Sequence, residues 1–560
     1  MDSVSEKPKR SQKPKLGSQL RGRAIYRSVQ DRESGRRFDL EQRRAGVLMH
    51  LTSLPGPFGS GDLGSGARAF ANFLSSAGQS WWQMLPVTPA GAAPGYSPYS
   101  SDSAMAGNPY LVSLEILAEE GLLTKDEIQG FEECERLEGF EGRRKSRNTS
   151  KAAKANLSAS GRFREERLRW AFARFAKLNG QVHRGLEEFC EQQKDWLDDY
   201  TLYSALKAAH GGTPWYGWEK GLKERQADAL SQVRQELAGE IEFYQFVQYQ
   251  FARQWKSFRE YCAERGVGLI GDVPIFVAHD SVDVWVHRHL FDLDRYGHPS
   301  RVTGYPPDMF NSDGQKWGHP HFVWDQHKAE NYRWWWGRFK TTLEKFDVVR
   351  IDHFIGFDRC WAIPASCPNA AKGKWIAGGG PEFFAAIHKQ LGEGKPFIVE
   401  DLGDLIPSAI ALRDRFNLPG MRVLQMGFDD SQYHRPHSYP RRCVAYTGTH
   451  DNDTTVGWYE KLIARAKSDV AAKAELHRVN AYLGIENSRD LHWACIRSLY
   501  ASQANTVIVP MQDLLGLDTR SRMNIPGTCD GQWVWRLADK ALNAELAQKM
   551  RNMAGLFGRM

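Results

Sequence analysis

The sequence predicts a (β/α)8 TIM barrel with a largely helical insertion between strands 2 and 3, and three observations predict it. Eight short apolar runs alternate with helical patterns from residue 46 to residue 509. Acidic residues stand at the C-terminal ends of several of these runs, where such barrels carry their working groups. One interval, residues 111–250, is too long for a single crossover and is dense in Glu, Lys, Arg, Leu and Ala.

The elements follow in order. Residues 1–45 hold 13 Lys/Arg against 6 Asp/Glu, which accounts for the whole formal charge of +7. They are expected to form a basic, disordered tail ahead of a catalytic barrel over 46–560. The first strand is expected at 46–51 and its helix at 67–77. The second strand, 81–87, leads into a loop rich in Gly, Pro, Tyr and Ser that runs to Tyr110. Within the insertion, residues 143–154 carry six positive charges and no acid, the composition of a mobile solvated loop, and Asn148-Thr149-Ser150 is read as an unused sequon. A helix over 251–264 closes on Arg265-Gly266 directly before strand three at 267–273. Strands four to eight are expected at 346–351, 397–399, 421–426, 444–448 and 506–509. Helix 408–416 begins after Pro407 and stops at Asn417-Leu418-Pro419-Gly420, and helix 488–501 leads into the last strand.

Composition excludes several classes. An apolar content of 41%, with 12% aromatic, supports a large core, and residues 46–560 are electrically balanced, so nucleic acid is not an expected partner. Eight cysteines are scattered without a C-x-x-C pair, as in a reduced cytosolic protein. The N-terminus lacks an apolar signal core, and no run of about 18 apolar residues suggests a membrane span. A cytoplasmic protein is expected; a plastid protein is the alternative if the basic tail is a transit peptide. Gly59-Ser60-Gly61-Asp62-Leu63-Gly64 matches a dinucleotide fingerprint, yet no Asp or Glu occurs between Leu63 and Ser101 to hold a ribose. It is better read as a tight loop over the barrel mouth. The pairs His287/His289, His319/His321 and His434/His437 lack cysteine partners at zinc spacing and are read as surface or supporting histidines. No metal or other cofactor is expected.

The chemistry gathers at the strand ends. Arg350 and Asp352 are two apart on one strand, so both project to one face, where the guanidinium can hold the carboxylate ionised. Strand three ends on Asp272, strand five on Glu400, and strand seven in Thr449-His450-Asp451-Asn452-Asp453. Carboxylates at several strand mouths suit a polar working cleft better than a core, where each buried charge would need its own partner. Two close carboxylates of unequal pKa are what glycosidic chemistry requires. Asp352 is assigned as nucleophile, Glu400 as acid/base, and Asp451 with His450 as the grip on a distorted sugar ring. A divalent-cation site is the alternative for the same set, though no metal-ligand spacing supports it.

Val349-Arg350-Ile351-Asp352-His353-Phe354, Glu400-Asp401-Leu402-Gly403 and Tyr446-Thr447-Gly448-Thr449-His450-Asp451-Asn452-Asp453-Thr454 resemble the motifs of the 4-α-glucanotransferases called amylomaltase or disproportionating enzyme, relatives of the α-amylases. Further matches are Gly271-Asp272-Val273-Pro274, Leu418-Pro419-Gly420-Met421-Arg422, Gly107-Asn108-Pro109-Tyr110 and Arg522-Met523-Asn524-Ile525-Pro526-Gly527, so the resemblance spans about residues 46–555. It implies a retaining double displacement through a covalent glucosyl-Asp352. Segments of α-1,4-glucans or maltooligosaccharides would pass to the 4-OH of a glucose or glucan acceptor. It maps the catalytic carboxylates onto Asp352, Glu400 and Asp451, and donor-site support onto Arg350, His450 and Asp272. Substrate contacts fall on Tyr96 and Ser97, in Gly95-Tyr96-Ser97-Pro98-Tyr99, on Trp317 in a mobile loop over 314–320, and on Asn452. Two departures lie near that loop: His319 where the family leads one to expect Asn, and Met309 where it leads one to expect an aromatic. An α-amylase-type hydrolase using the same carboxylates is the rival reading.

Nineteen tryptophans invite a sugar-stacking role, but most are expected in the core. Trp334-Trp335-Trp336, on a helical pattern, must leave at least one ring toward solvent or another element. Trp81-Trp82 reads as packing. Trp215-Tyr216-Gly217-Trp218 is either core or a secondary glucan platform.

Overall fold

The computed structural model describes residues 38–91, 95–137, 153–178, 181–307, 313–391, 396–403, 406–428, 432–485, 490–528 and 531–560. Eight parallel strands close into a barrel in sequence order: β1 (Arg44–Leu48), β2 (Trp81–Gln83), β3 (Gly268–Val273), β4 (Val348–Ile351), β5 (Phe397–Val399), β6 (Gly420–Val423), β7 (Cys443–Tyr446) and β8 (Thr506–Pro510), with β8 pairing back onto β1. Each expected run overlaps one of these strands, with ends that differ by a few residues. The runs were drawn long at 81–87 and 421–426, because apolar chain continues past the last paired residue; Leu424–Met426 turns into a 3-10 helix.

The strands are almost wholly buried on both faces, as a barrel filled inside and covered outside requires. Close packing dictates glycine at position 271: a Cβ there would lie 2.3 Å from the Phe346 ring, which seals the wall between β3 and the helix Arg333–Lys345. Folded chain also reaches back before residue 46. Phe38 packs its ring on Trp81 at 5.7 Å, Leu40 is buried, and β1 begins at Arg44, so the final residues of the expected tail belong to the barrel.

Helices cover most crossovers: Ser65–Ser76 after β1, Arg333–Lys345 before β4, Gly380–Leu391 before β5, Pro407–Arg415 before β6 and Leu491–Ala501 before β8. Between β6 and β7 the described residues hold 3-10 turns and no α-helix, because the polar chain there, interrupted by Pro436 and Pro440, has no helical apolar period. The interval between β2 and β3 is helical, dominated by Leu157–Phe175, Gln181–Ala209 and Ala238–Glu264. The last of these runs unbroken from the insertion to the barrel, across the boundary drawn at residue 250. Buried Asp62, in the glycine-rich loop after β1, ties the insertion down through Arg164 at 2.9 Å. Of the basic stretch 143–154, only Ala153 and Lys154 lie within the described residues, and they pair with Trp535–Arg536; the sequon at 148–150 and Met309 lie outside them.

Sequence patterning did not reveal a second sheet. Arg301–Tyr305, Gln315–Pro320, Arg359–Pro364 and Lys374–Ala377 form four antiparallel strands in the order 315–320, 301–305, 359–364, 374–377. They come from the long segments after β3 and β4, so the sheet stands beside the barrel mouth. Trp317 therefore lies on a strand rather than in a mobile loop, with Lys316 anchored to the carbonyl of Ala365 at 2.9 Å. Among the described residues, no helix is long and apolar enough to cross a membrane.

Burial leaves several histidines uncharged. It pushes His50 and His327 down to about 3, and His319, His321, His353 and His434 down to about 4. His321 and His434 are therefore core groups, not surface ones. In the unfolded chain these rings take up protons near pH 6.5. Below that pH the unfolded state binds more protons than the folded one, so the stabilisation is complete above pH 6.5 and is lost as pH falls toward about 4. Tm is expected to drop steeply across that window, and a Tm that stays level down to about pH 4 would contradict the burial of these rings in neutral form.

Candidate functional site

The parallel ladder carries the acidic residues to the mouth of the barrel. One residue beyond the strands the pairing continues: Asp352 N–H donates to Val273 O and Glu400 N–H to Ile351 O, both at 3.0 Å, and Phe354 N–H donates to Glu400 O at 3.0 Å. One layer below, Arg350 stands in register with Asp272 on β3 and Ile398 on β5. Side chains of alternate residues share a face, so Arg350, Asp352, Asp272 and Glu400 converge.

Arg350 is the centre of this group and only 2% exposed. Its Nη1 donates to both oxygens of Asp272 at 2.8 and 2.7 Å and to Asp352 Oδ1 at 3.0 Å, while Nη2 donates to Glu400 Oε2 at 2.7 Å. Burial opposes its charge, but the carboxylates of Asp272, Glu400 and Asp352 outweigh that effect and raise its pKa, so it stays a cation. A planar fork with fixed donors suits this task; a point charge does not. His353, at φ +48°, is a non-glycine residue in the left-handed region. The chain turns there, and the His353 N–H donates to Glu400 Oε2 at 2.9 Å.

Asp352 and Glu400 also hydrogen-bond each other, and their environments differ. Burial raises the pKa of Asp352 well above the usual carboxylate range; Arg350 opposes this, while Glu400 and Asp272 add to it. Burial works the same way on Glu400, yet Arg350 and the His353 N–H overcome it and its pKa is lowered. The two shifts run in opposite directions, so Asp352 is the more readily protonated of the pair. Arg350 divides Nη1 between Asp272 and Asp352 but gives Nη2 to Glu400, so its charge favours the anion of Glu400 more than that of Asp352.

The loop after β7 supplies the opposite wall. Asn452 Oδ1 accepts from Thr449 N at 2.8 Å and from Thr449 Oγ1 at 3.0 Å, closing a turn that presents His450 and Asp451. The side-chain carbonyl of Asn452 thus fixes the loop itself. Asp451 Oδ1 accepts from Asn524 Nδ2 at 2.6 Å, and Asp451 Oδ2 lies 3.3 Å from His450 Nε2.

Tyr99 joins the two walls. Its hydroxyl donates to Asp272 Oδ2 at 2.8 Å, and its ring stacks on His450 at 5.0 Å with an interplanar angle of 12°. Tyr99, rather than Tyr96, is the tyrosine that meets the carboxylate cluster. Tyr96, at φ +59°, occupies the turn that precedes it, and Ser97 Oγ accepts the Tyr99 N–H at 3.3 Å. Both residues lie in Gly95-Tyr96-Ser97-Pro98-Tyr99, and spacing alone does not say which ring turns inward. Asn524 was also visible only as part of a motif. Trp317 stands edge-on to His353 at 4.8 Å, at the rim of the site. His319 is half-buried, its ring 6.3 Å from that of Phe276. Trp215 and Trp218 are buried, Trp215 donating to His279 O at 2.7 Å, so they form core and not a glucan platform.

Comparison with known proteins agrees with this geometry. A family model described as 4-alpha-glucanotransferase matches residues 49–542. The 4-alpha-glucanotransferase of Thermus thermophilus is 41% identical over 519 residues, covering 91% of this chain and 98% of the relative. That of Synechocystis sp. is 41% identical over 525 residues, covering 93% and 99%. Among solved structures, the amylomaltase of Streptococcus agalactiae, in complex with acarbose, superposes with a TM-score of 0.83 at 35% identity and covers 92% of this chain and 100% of its own. The chain belongs to the 4-alpha-glucanotransferase family.

Proposed function

We propose that the chain moves segments of α-1,4-glucans and maltooligosaccharides to the 4-OH of a glucose or glucan acceptor by a retaining double displacement. The observation that carries this reading is the convergence of Asp272, Asp352 and Glu400 on the single buried fork of Arg350. Two carboxylates gripped by one guanidinium, Asp352 on Nη1 and Glu400 on Nη2, suit the short spacing of retaining enzymes, about 5 Å, better than the wider spacing an inverting enzyme needs.

For the first displacement the shared proton crosses the hydrogen bond from Asp352 to Glu400. Asp352 Oδ then bonds to the anomeric carbon as the glycosidic C–O bond breaks, and the Glu400 proton goes to the leaving oxygen. In the second step Glu400 takes the proton of the acceptor 4-OH, that oxygen bonds to the anomeric carbon, and Asp352 is released. Asp451, fixed by Asn524 and His450, holds ring hydroxyls of the reacting glucose.

Incubation with maltotriose tests the reading. Longer oligosaccharides together with free glucose are expected; shorter products alone would mean hydrolysis. Tyr99→Phe keeps the ring on His450 and deletes one hydrogen bond to a charged group, worth roughly 1.5–3 kcal/mol. A loss of about 10- to 100-fold in kcat/KM is expected, measured as glucose released from maltotriose. An unchanged value would mean that the Asp272 contact does not support the reacting groups.

A further inference from the structure

We propose that Tyr305, Trp375 and Trp361 form a stacking track for the glucan chain beyond the reacting glucose, on the acceptor side. This deepens the transferase reading and rests on it. The rings are continuous with the site. Trp317 stands 4.8 Å from His353, Tyr305 stands 6.1 Å from the same histidine, Trp375 stands 6.4 Å from Tyr305, and Trp361 stands 5.2 Å from Trp375. The chain of rings therefore runs from the residue that donates to Glu400 outward across the second sheet, where Trp361 and Trp375 face each other in register on neighbouring strands.

Direction follows from Glu400. The group that protonates the leaving oxygen lies toward the sugars that depart and toward the acceptor that replaces them. Tyr305 lies on that side, since a Cβ on Gly403, three residues past Glu400, would lie 2.9 Å from its hydroxyl. Trp317, Tyr305, Trp361 and Trp375 are all half-buried, although full burial would be worth more to the fold. The contacts within the series are edge-on or strongly tilted, at 86°, 84°, 85° and 68°, so the rings do not stack flat on one another. Trp361 rests on the small core of Val302, Ile363 and Ala370. Half-buried aromatic rings in a row fit the apolar C–H faces of successive glucose units.

The test compares kcat/KM for maltoheptaose with kcat/KM for maltotriose in the full-length protein. Trp375→Ala and Tyr305→Ala are each expected to lower that ratio about tenfold, the size of one lost stacking contact, and Trp375→Phe is expected to restore most of it. Trp170→Ala, at an exposed tryptophan of the insertion, should leave the ratio unchanged. An unaltered ratio in both track variants overturns the proposal. So does an equal fall for both substrates accompanied by a lower Tm, which would mark a structural role. A wild-type protein that extends no oligosaccharide would remove the transferase reading itself, and the two failures are thereby distinguishable.

Discussion

Replacing Asp352 by Asn is expected to lower glucan transfer by on the order of 10⁴-fold or more, because the bond to the anomeric carbon cannot form. Glu400→Gln is expected to cost roughly 10²- to 10⁴-fold through loss of proton transfer. The two variants should part company in stability. Asp352 is the more readily protonated of the pair, so Asn reproduces the shape and hydrogen-bond donor of its neutral form, and Tm should remain near that of the parent. Glu400 is held as the anion by Arg350 and the His353 N–H, so a neutral Gln loses charge pairing at a site with 20% side-chain exposure and Tm should fall. Near-normal turnover by either variant removes its assigned role. If Asp352→Asn is the less stable of the two, the proton rests on Glu400 instead.

Arg350→Ala is expected to be the most destabilising single change at the site. It strips the counterion from Asp272, whose side chain has 0% exposure. Breaking a buried pair from one side costs roughly 3–5 kcal/mol, and here Asp352 and Glu400 lose the same partner. Because protonation can relieve an orphaned carboxylate, the deficit in Tm relative to the parent should shrink at lower pH. A deficit independent of pH would mean lost packing rather than lost charge. Arg350→Lys separates fold from chemistry. One ammonium can stay near Asp272 and recover part of the stability, but it cannot reach Asp352 and Glu400 in the geometry of a guanidinium fork. Activity is expected to remain lost while Tm partly returns.

Much of the site could be read from the chain because its placement is local. Arg350 and Asp352 share a face by strand period alone, and Asp272 and Glu400 end neighbouring strands, so closing the barrel brings them together without help from any loop. Where a contact joins loops after different strands, the sequence leaves it open. That Tyr99 meets Asp272 and His450 depends on the turn at Tyr96 and on where those two residues lie. Trp317 reads as loop because its own stretch, Gln315–Pro320, shows no apolar run, and the sheet it joins is assembled from two segments separated by β4.

The alternation of apolar runs and helical patterns determined the barrel, the insertion and the set of acids at its mouth, because period and strand direction are properties of short stretches of chain. Tertiary structure alone decided how one arginine divides its donors among three carboxylates, and with that, in which direction the pKa of each catalytic carboxyl moves. The physical reason is that burial and charge act through space: the pKa of Asp352 depends on groups 48 and 80 residues away in the chain, and no local pattern records how close folding brings them.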